Sequence, residues 1–181
     1  MKDLVIETDR ITMKSTAGRV NAKDIVNAID DRETLEFLSS VPFEYTEDNA
    51  NDFLAFLRNV EDSKETIQLG MFHKEYGTFI GMVTLENIDY DNHSCELGYW
   101  ISKRYTGRGM AYEAASKVVQ FAFSSLKMRV IKAYVIKEHK KSISLLERLG
   151  FQQKQLLLNN EENKGVMVDR YLYTLKNIEV V

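Results

Sequence analysis

Two glycines one residue apart, Gly107 and Gly109, stand where an apolar strand-like run gives way to a long helical pattern. A junction of this kind turns several free backbone N–H groups outward at the positive end of a helix dipole, which suits an anion. Glycine allows the tight turn and lets a ligand approach the main chain without a Cβ in the way. Arg104 and Arg108 add positive charge beside it. These residues predict a site for phosphate groups.

Two well-known phosphate-binding motifs do not fit this stretch. The loop of nucleotide hydrolases ends in Gly-Lys-Ser/Thr, a combination that the chain lacks. The dinucleotide fingerprint requires a third glycine or alanine at the position of Tyr112, within repeated βαβ units. From the two glycines alone, a tight turn without any ligand therefore stays open as the alternative.

Composition restricts the class of protein. The chain has 181 residues, which suits one domain over 1–181, and its net charge of −3 argues against a general nucleic-acid coat. Cys95 is the single cysteine, so no disulfide can form within the chain and a reducing compartment is expected. No apolar run approaches the length of a membrane helix. We therefore expect a cytoplasmic protein that contacts neither membrane nor nucleic acid.

Hydrophobic periodicity gives the order of elements that must position the glycine turn. Strands are predicted at 4–14, 66–73, 78–88, 94–101, 129–136, 151–158 and 166–175. Helices are predicted at 21–38, with a break near Asp30 and Asp31, from Thr46 onward, at 111–126 and at 142–149. This order predicts an α+β domain whose mixed, mostly antiparallel sheet is flanked by helices and is parallel only where a helix crosses over.

Five ordered motifs resemble the GNAT acyltransferases, most closely the RimJ/RimL-like branch. The motifs are TDRI at 8–11, GMV at 81–83, ELGYWI at 96–101, RYTGRG at 104–109, and Ser142 followed by ERLGF at 147–151. There are two departures. The family usually has Asn where this chain has His139, and Leu146 replaces a tyrosine that protonates the departing thiolate in many relatives. That branch commonly lacks this tyrosine too, so the resemblance still implies the GNAT acyl-CoA N-acyltransferase fold and an acyltransferase.

The resemblance implies acetyl-CoA as co-substrate and assigns residues to it. The main chain of Gly107, Arg108, Gly109, Met110 and Ala111 would bind the pyrophosphate, with charge from Arg104 and Arg108. Tyr99, Trp100 and Ile101 would pair their main chain with the pantetheine arm as an added strand would. His139 and Ser142 fall near the pantetheine and the sulfur. No metal is expected, because His73 and His93 stand far from any ligand set.

Two residues are predicted to act in catalysis. Glu96 is the expected base, because the resemblance brings its strand beside the acetyl group and a period of two puts it on the side of Gly98 and Trp100. Glu86 is the reserve. Ser142 is the expected acid, by the part its equivalent plays in the RimL-like branch. The simpler readings are an edge glutamate paired with a lysine and a serine that caps a helix.

The implied reaction is direct transfer of an acetyl group to a primary amine, either a protein N-terminus, such as that of a ribosomal protein, or a small molecule. Phe37, Phe43 and Tyr45, with acids at 89–91 and 161–162, would line the acceptor pocket and suit a cationic amine; core packing and turn formation are the alternative. A CoA-binding module without turnover, acting as a sensor or partner-binding domain, is the second function to test. The family's frequent dimers also imply a homodimer.

Overall fold

An eight-stranded sheet forms the centre of the computed structural model, which describes residues 3–29 and 31–177. Met1, Lys2, Asp30 and residues 178–181 lie outside the described residues. The strands are β1 Val5–Glu7, β2 Ile11–Lys14, β3 Ile67–His73, β4 Phe79–Asp89, β5 Ser94–Ile101, β6 Val130–Ile136, β7 Gln152–Asn163 and β8 Val166–Lys176. The helices are α1 Ala22–Ile29, α2 Arg32–Glu36, α3 Glu47–Val60, α4 Met110–Ser124 and α5 Lys140–Arg148, with a 3₁₀ turn at Lys103–Tyr105.

The strand order is β1-β2-β3-β4-β5-β6-β8-β7. Only β5 and β6 pair in parallel among these strands, and α4 makes the crossover between them. A parallel pair needs such a crossover, whereas the hairpins β3–β4, β4–β5 and β7–β8 close through short turns. The predicted mixed, mostly antiparallel sheet flanked by helices is confirmed.

The two faces of the sheet carry separate cores. On one face, α4 buries an alanine-rich stripe that includes Ala114, Ala115 and Ala122 against the strands. On the other face, α1 and α3 pack through Ile25 and Leu54. Each face of the sheet is therefore covered by its own set of helices.

Local signals explain where the early helices begin. Thr46 caps α3 through a reciprocal pair of hydrogen bonds with Asn49, which satisfies two N–H groups of the first turn. Asp31 caps α2 by accepting from the backbone N–H of Glu33. The predicted break near Asp30 and Asp31 and the predicted start at Thr46 are confirmed at Asp31 and Thr46, and Asp30 itself is not described.

Three differences from the sequence prediction affect the elements around the site. The single strand predicted at 4–14 is two strands, because Thr8 and Ile11 close a tight turn with hydrogen bonds between them. Helix α5 begins at Lys140, two residues before the predicted start. Strand β7 continues to Asn163, because the left-handed pair Lys164 and Gly165 supplies the hairpin turn. Ser142 is therefore inside α5 and does not cap it.

Candidate active site

The predicted phosphate site is a turn between β5 and α4. Gly107 and Gly109 have φ angles of 72° and 77°, in the left-handed region that favours glycine. Gly109 is the N-cap of α4 and offers no side-chain cap, so the first N–H groups of the helix remain available to a ligand. A Cβ added at Gly107 would meet no atom within 4 Å, which leaves the main chain open to approach. We call residues 107–111 the cradle.

Arg10 holds the cradle in place from a distant part of the chain. Its Nη1 donates to the carbonyl oxygen of Arg108 at 3.0 Å, and its Nε donates to Glu113 Oε2 at 2.7 Å. Burial alone would raise the pKa of Glu113, but hydrogen bonds from Thr8 and Arg10 lower it overall. The TDRI motif therefore supports the cradle and the first turn of α4.

The sheet opens beside the cradle. Strand β5 pairs with β6 only from Ser94–Val130 to Glu96–Lys132, and beyond that point β6 continues its pairing with β8 alone. On its other side β5 stays paired with β4 as far as Ile101. The separated strands border a cavity of about 1450 Å³ that extends from the cradle to the α1–α3 face. We call the gap between β5 and β6 the slot.

A hydrogen bond joins the two sides of the cavity near the slot. Tyr99 Oη of β5 lies 2.9 Å from Ser142 Oγ of α5 and 3.4 Å from the Ser142 carbonyl oxygen. Burial raises the pKa of Tyr99 to about 12, although its hydrogen bond to Ser142 acts in the opposite direction. The phenol therefore remains protonated at neutral pH. Leu146, one turn after Ser142, is buried, so the family's usual tyrosine position is filled by core packing here.

His139, at the start of α5, is a partly buried ring that packs against an aromatic side chain. It stacks on Phe37 with ring centroids 4.0 Å apart and an interplanar angle of 4°. Burial, followed by the positive charge of Lys141, lowers the pKa of His139 to about 4. His139 therefore contributes a flat wall to the cavity and no positive charge at neutral pH.

An ion-pair cluster connects α2 to the turn after β5 and to helix α5. Lys103, in the turn after β5, lies 3.3 Å from Asp31 Oδ1 and 3.4 Å from Glu33 Oε2. Lys141 of α5 also pairs with Glu33. The hydrogen bond and charge of Lys141 lower the pKa of Glu33, and Lys103 lowers it further. This cluster keeps α2 against the outer side of the cavity.

Two carboxylates face each other on the α1–α3 side of the sheet. Glu86 and Glu96 are direct cross-strand partners, and Glu86 lines the cavity whereas Glu96 is not among the lining residues. Thr84 Oγ1 donates to Glu86 at 3.1 Å, and Gln68 Nε2 donates to it at 3.3 Å. A Cβ on Gly98 would lie 2.6 Å from Thr84 Oγ1, so this glycine leaves room for the hydroxyl that holds Glu86.

The rest of this side, which we call the acceptor lobe, is aromatic and acidic. Its lining includes Tyr45, Asp52, Phe53, Phe56, Trp100, Tyr134, Glu161 and Arg170. Burial, followed by the charge of Asp52, raises the pKa of Tyr45. Arg170 lies over the Tyr134 ring at 4.9 Å and pairs with Glu161 at 2.9 Å. Most of the positive charge of Arg170 is thus met by the protein itself.

The structure brings most of the predicted site residues to one cavity. Its lining includes Tyr99, Trp100, Ile101, Gly107, Gly109, Met110, Ala111, His139 and Ser142. Arg104, Arg108 and Glu96 are not among the lining residues, and the two arginine side chains are exposed. Phe37 and Tyr45 line the cavity as predicted for the acceptor side, whereas Phe43 lies outside the lining and packs against Arg32 and Lys164.

Some contributors escaped sequence analysis. Arg10 belongs to the TDRI motif, but nothing in the sequence indicates its contact with Arg108, 98 positions away. Glu33 pairs with Lys141, 108 positions away, and such a pairing leaves no local signal. Arg170 pairs with Glu161 across the β7–β8 hairpin, a contact that depends on the register of the two strands. Within residues 3–29 and 31–177, no group of three or more His, Cys, Asp or Glu side chains could hold a metal. No helix in those ranges has the length and hydrophobicity needed to cross a bilayer.

Comparison with known proteins agrees with this geometry. The model of the acetyltransferase (GNAT) domain matches residues 16–152. The uncharacterized N-acetyltransferase p20 of Bacillus licheniformis is 29% identical over 168 residues, which cover 93% of each chain. The ribosomal protein uS5-alanine N-acetyltransferase of Escherichia coli is 26% identical over 101 residues, 55% of this chain and 52% of that protein. RimJ of Mycobacterium smegmatis, solved with CoA-disulfide, has a TM-score of 0.83 at 20% identity and covers 99% of this chain and 90% of its own.

The family match covers more than half of the chain, from before α1 to the start of β7. The relatives include ribosomal-protein acetyltransferases, and the RimJ structure has the same fold over nearly the full length. The chain belongs to the GNAT acetyltransferase family, and it is similar to members of the RimJ/RimL-like branch.

Proposed function

We propose that this protein transfers an acetyl group from acetyl-CoA directly to a primary amine. One observation carries the proposal: the cradle, the slot and the acceptor lobe form one continuous cavity that passes from one face of the sheet to the other. Such a cavity accommodates a long carrier at one end and an amine at the other, with the reacting atoms meeting between β5 and β6. Preorganised contacts at both ends would hold the two reactants together.

We propose that the cradle binds the pyrophosphate through its main-chain N–H groups, with Arg104 and Arg108 adding charge from the rim. The main chain of Tyr99, Trp100 and Ile101 would then pair with the pantetheine arm, on the edge of β5 that has separated from β6. His139 and Ser142 lie on the opposite wall of the cavity. This placement would bring the sulfur close to Ser142.

The chemistry requires one proton to leave the amine and one to reach the sulfur. The amine nitrogen attacks the thioester carbon, a C–N bond forms, and the resulting oxyanion collapses as the C–S bond breaks. A carboxylate on the acceptor side takes the proton from the amine. We place Glu86 in this role ahead of Glu96, because Glu86 lines the cavity and two donors orient it. The hydroxyl of Ser142 donates a hydrogen bond to the departing thiolate.

The base can be identified by two isosteric changes. We expect Glu86→Gln to lower kcat/KM for the amine about 100-fold, which is typical of a lost general base, and to leave the Kd of acetyl-CoA unchanged. Glu96→Gln is the matched control on the neighbouring strand, with an expected loss below about threefold. The reverse result would make Glu96 the base, as the sequence analysis predicted.

The acceptor lobe supports a positively charged amine substrate. Aromatic faces and carboxylates together attract an ammonium group before it loses its proton. Asp52 and Glu86 supply carboxylates there, while Tyr45, Phe53 and Trp100 supply aromatic rings. Both acceptors that the resemblance implies, a protein N-terminus and a small-molecule amine, present such a group.

Thiol release from acetyl-CoA, measured over a panel of amines, tests the proposed function. The panel should contain peptides with N-terminal Ser, Thr and Ala, polyamines and small metabolite amines. Amine-dependent thiol release supports the enzyme. Tight binding of acetyl-CoA without turnover on any amine would instead favour a CoA-binding sensor or partner-binding module. The predictions of one domain over 1–181, a cytoplasmic location, a homodimer and no nucleic-acid partner stay predictions.

A further inference from the structure

Many relatives have a tyrosine that protonates the departing sulfur, and this chain has Leu146 at that position. Another hydroxyl must therefore interact with the sulfur here. Leu146 is buried and apolar, so the hydroxyls that α5 brings to the cavity lining are those of Ser142 and Ser144. Of these two, Ser142 is the one that is hydrogen-bonded to Tyr99. A serine hydroxyl rotates freely about its Cβ–Oγ bond and can donate only one proton. Unless a second group fixes that rotation, the O–H bond of Ser142 is not oriented toward the sulfur.

Tyr99 provides such a constraint. Its side chain comes from β5, on the opposite side of the cavity from α5, and places Oη 2.9 Å from Ser142 Oγ. Tyr99 stands in the GYW stretch at 98–100, whose neighbours Gly98 and Trp100 line the same cavity. The phenol also lies 3.4 Å from the Ser142 carbonyl oxygen, so its hydroxyl points at this one residue of α5.

We propose that Tyr99 is a positioning residue that donates a hydrogen bond to Ser142 Oγ and thereby directs the serine proton toward the leaving sulfur. This role rests on the proposed acetyl transfer. The phenol donates and keeps its proton, because burial raises its pKa to about 12 and so opposes its ionisation. The serine oxygen accepts from Tyr99, and its single O–H then donates a hydrogen bond to the sulfur as the C–S bond breaks, so that the thiolate leaves stabilised and takes its proton from water.

The arrangement explains how the branch's missing tyrosine can be dispensable in this chain. Two hydroxyls from different elements, β5 and α5, replace one hydroxyl on α5. The donor that contacts sulfur is Ser142, and Tyr99 acts only through it. A purely structural tyrosine would instead stabilise the fold without affecting the leaving group.

The test is a double-mutant cycle measured in kcat and KM. Tyr99→Phe keeps the ring and removes the hydroxyl, and we expect kcat to fall about 10-fold, as for one lost oriented hydrogen bond. The KM for both substrates should change less than about threefold. Ser142→Ala should lower kcat at least as much, and the double variant should be no worse than Ser142→Ala alone, because the two residues act as a unit.

Tyr173→Phe is the matched control. Tyr173 is buried, and its hydroxyl donates to Glu147 of the same helix α5 at 3.2 Å and to Gln153 at 3.3 Å. Its loss should reduce thermal stability and leave kcat unchanged. Should Tyr99→Phe fail to fold, Tyr99→Leu supplies a second variant without the hydroxyl, for which the same non-additivity with Ser142→Ala is expected.

A second readout varies the leaving group. Acetyl thioesters of simple thiols with lower pKa need less help in departing, so the loss caused by Tyr99→Phe should shrink toward none across that series. Full activity of Tyr99→Phe, additive losses, or a loss independent of the leaving thiol would overturn the role while wild-type turnover persists. Absence of wild-type turnover on the whole amine panel would overturn the proposed function itself.

Discussion

The cofactor side and the acceptor side of the cavity are built in different ways. On the side where we propose that the cofactor binds, the lining includes one chain segment from Leu97 to Ala111, and two left-handed glycines set the direction of its main chain. On the acceptor side, side chains from α2, α3, β4, β6 and the β7–β8 hairpin meet across long sequence separations. One side depends on backbone shape and the other on the choice of side chains.

This difference separates what can vary from what cannot. A cradle of backbone N–H groups depends mainly on the conformation of the turn, so it suits a co-substrate that all members of the family share. A lobe formed by side chains changes its shape and charge with each substitution. Family membership therefore specifies the donor of the acetyl group and leaves the acceptor to the individual chain.

The largest effect should follow a charge placed in the cradle. Gly107→Glu puts a carboxylate beside the phosphates, and we expect the Kd of acetyl-CoA to rise about 100-fold or more, about 2.7 kcal/mol, in isothermal titration calorimetry. Gly107→Asn is the control, because Asn tolerates the left-handed backbone without adding charge. Equal affinities of the two variants would contradict backbone capture of phosphate at this turn.

A smaller and opposite pattern is expected on the acceptor side. Arg170 donates through Nε to Asn160 Oδ1 at 3.0 Å and through Nη1 to Glu161 at 2.9 Å, which fixes β7 as a wall of the lobe. Arg170→Ala should raise the KM of the amine about 10-fold, as for a lost charged hydrogen bond, and leave the Kd of acetyl-CoA unchanged. Lys154→Ala, on the same hairpin, should change neither. A weaker affinity for acetyl-CoA in Arg170→Ala would show that the two sides are not separable.

The boundary between the two sides can be probed through His139. Phe37→Ala exposes the ring, so the pKa of His139 should rise from about 4 toward its ordinary 6.5, as measured by NMR titration. Since the native pKa is lowered, the unfolded state binds more protons between pH 4 and 6.5, and stability falls as the pH drops through that range. The variant should show a weaker pH dependence of Tm. Phe43→Ala, in the same segment, should leave the pKa of His139 unchanged.

The smallest effect is expected at the ion pairs that hold α2. Glu33→Gln removes the partner shared by Lys103 and Lys141, but both lysine side chains are more than half exposed and the Glu33 side chain is 42% exposed. Surface pairs contribute little, so Tm should fall by no more than about 2–4 °C at low salt. The difference should disappear in 1 M NaCl, where such pairs are screened. A fall that persists in high salt would require a contribution other than charge.

The sequence predicted the glycine turn and several element boundaries because their signals are local. Gly107 and Gly109 mark the turn by their spacing, the apolar period marks β5 and α4, and Thr46 marks the start of α3. The stack of Phe37 on His139 could not be predicted, because it depends on how α2 meets α5 across a gap of 102 positions. The sequence also could not show that Glu86 lines the cavity and that Glu96 does not. An alternation of period two assigns both carboxylates to a face of the sheet, but it does not locate the cavity on that face.

The end of β5–β6 pairing at Glu96 has a consequence for the stability of the protein. Any carrier whose arm pairs with that free edge would complete the sheet and bind the native chain alone. At 100 times its Kd, such a ligand adds about 2.7 kcal/mol to the free energy of unfolding. The concentration of acetyl donor would then affect the resistance of the protein to heat and proteolysis as well as its rate of turnover. At a low concentration of the donor, the protein would unfold and be degraded more readily.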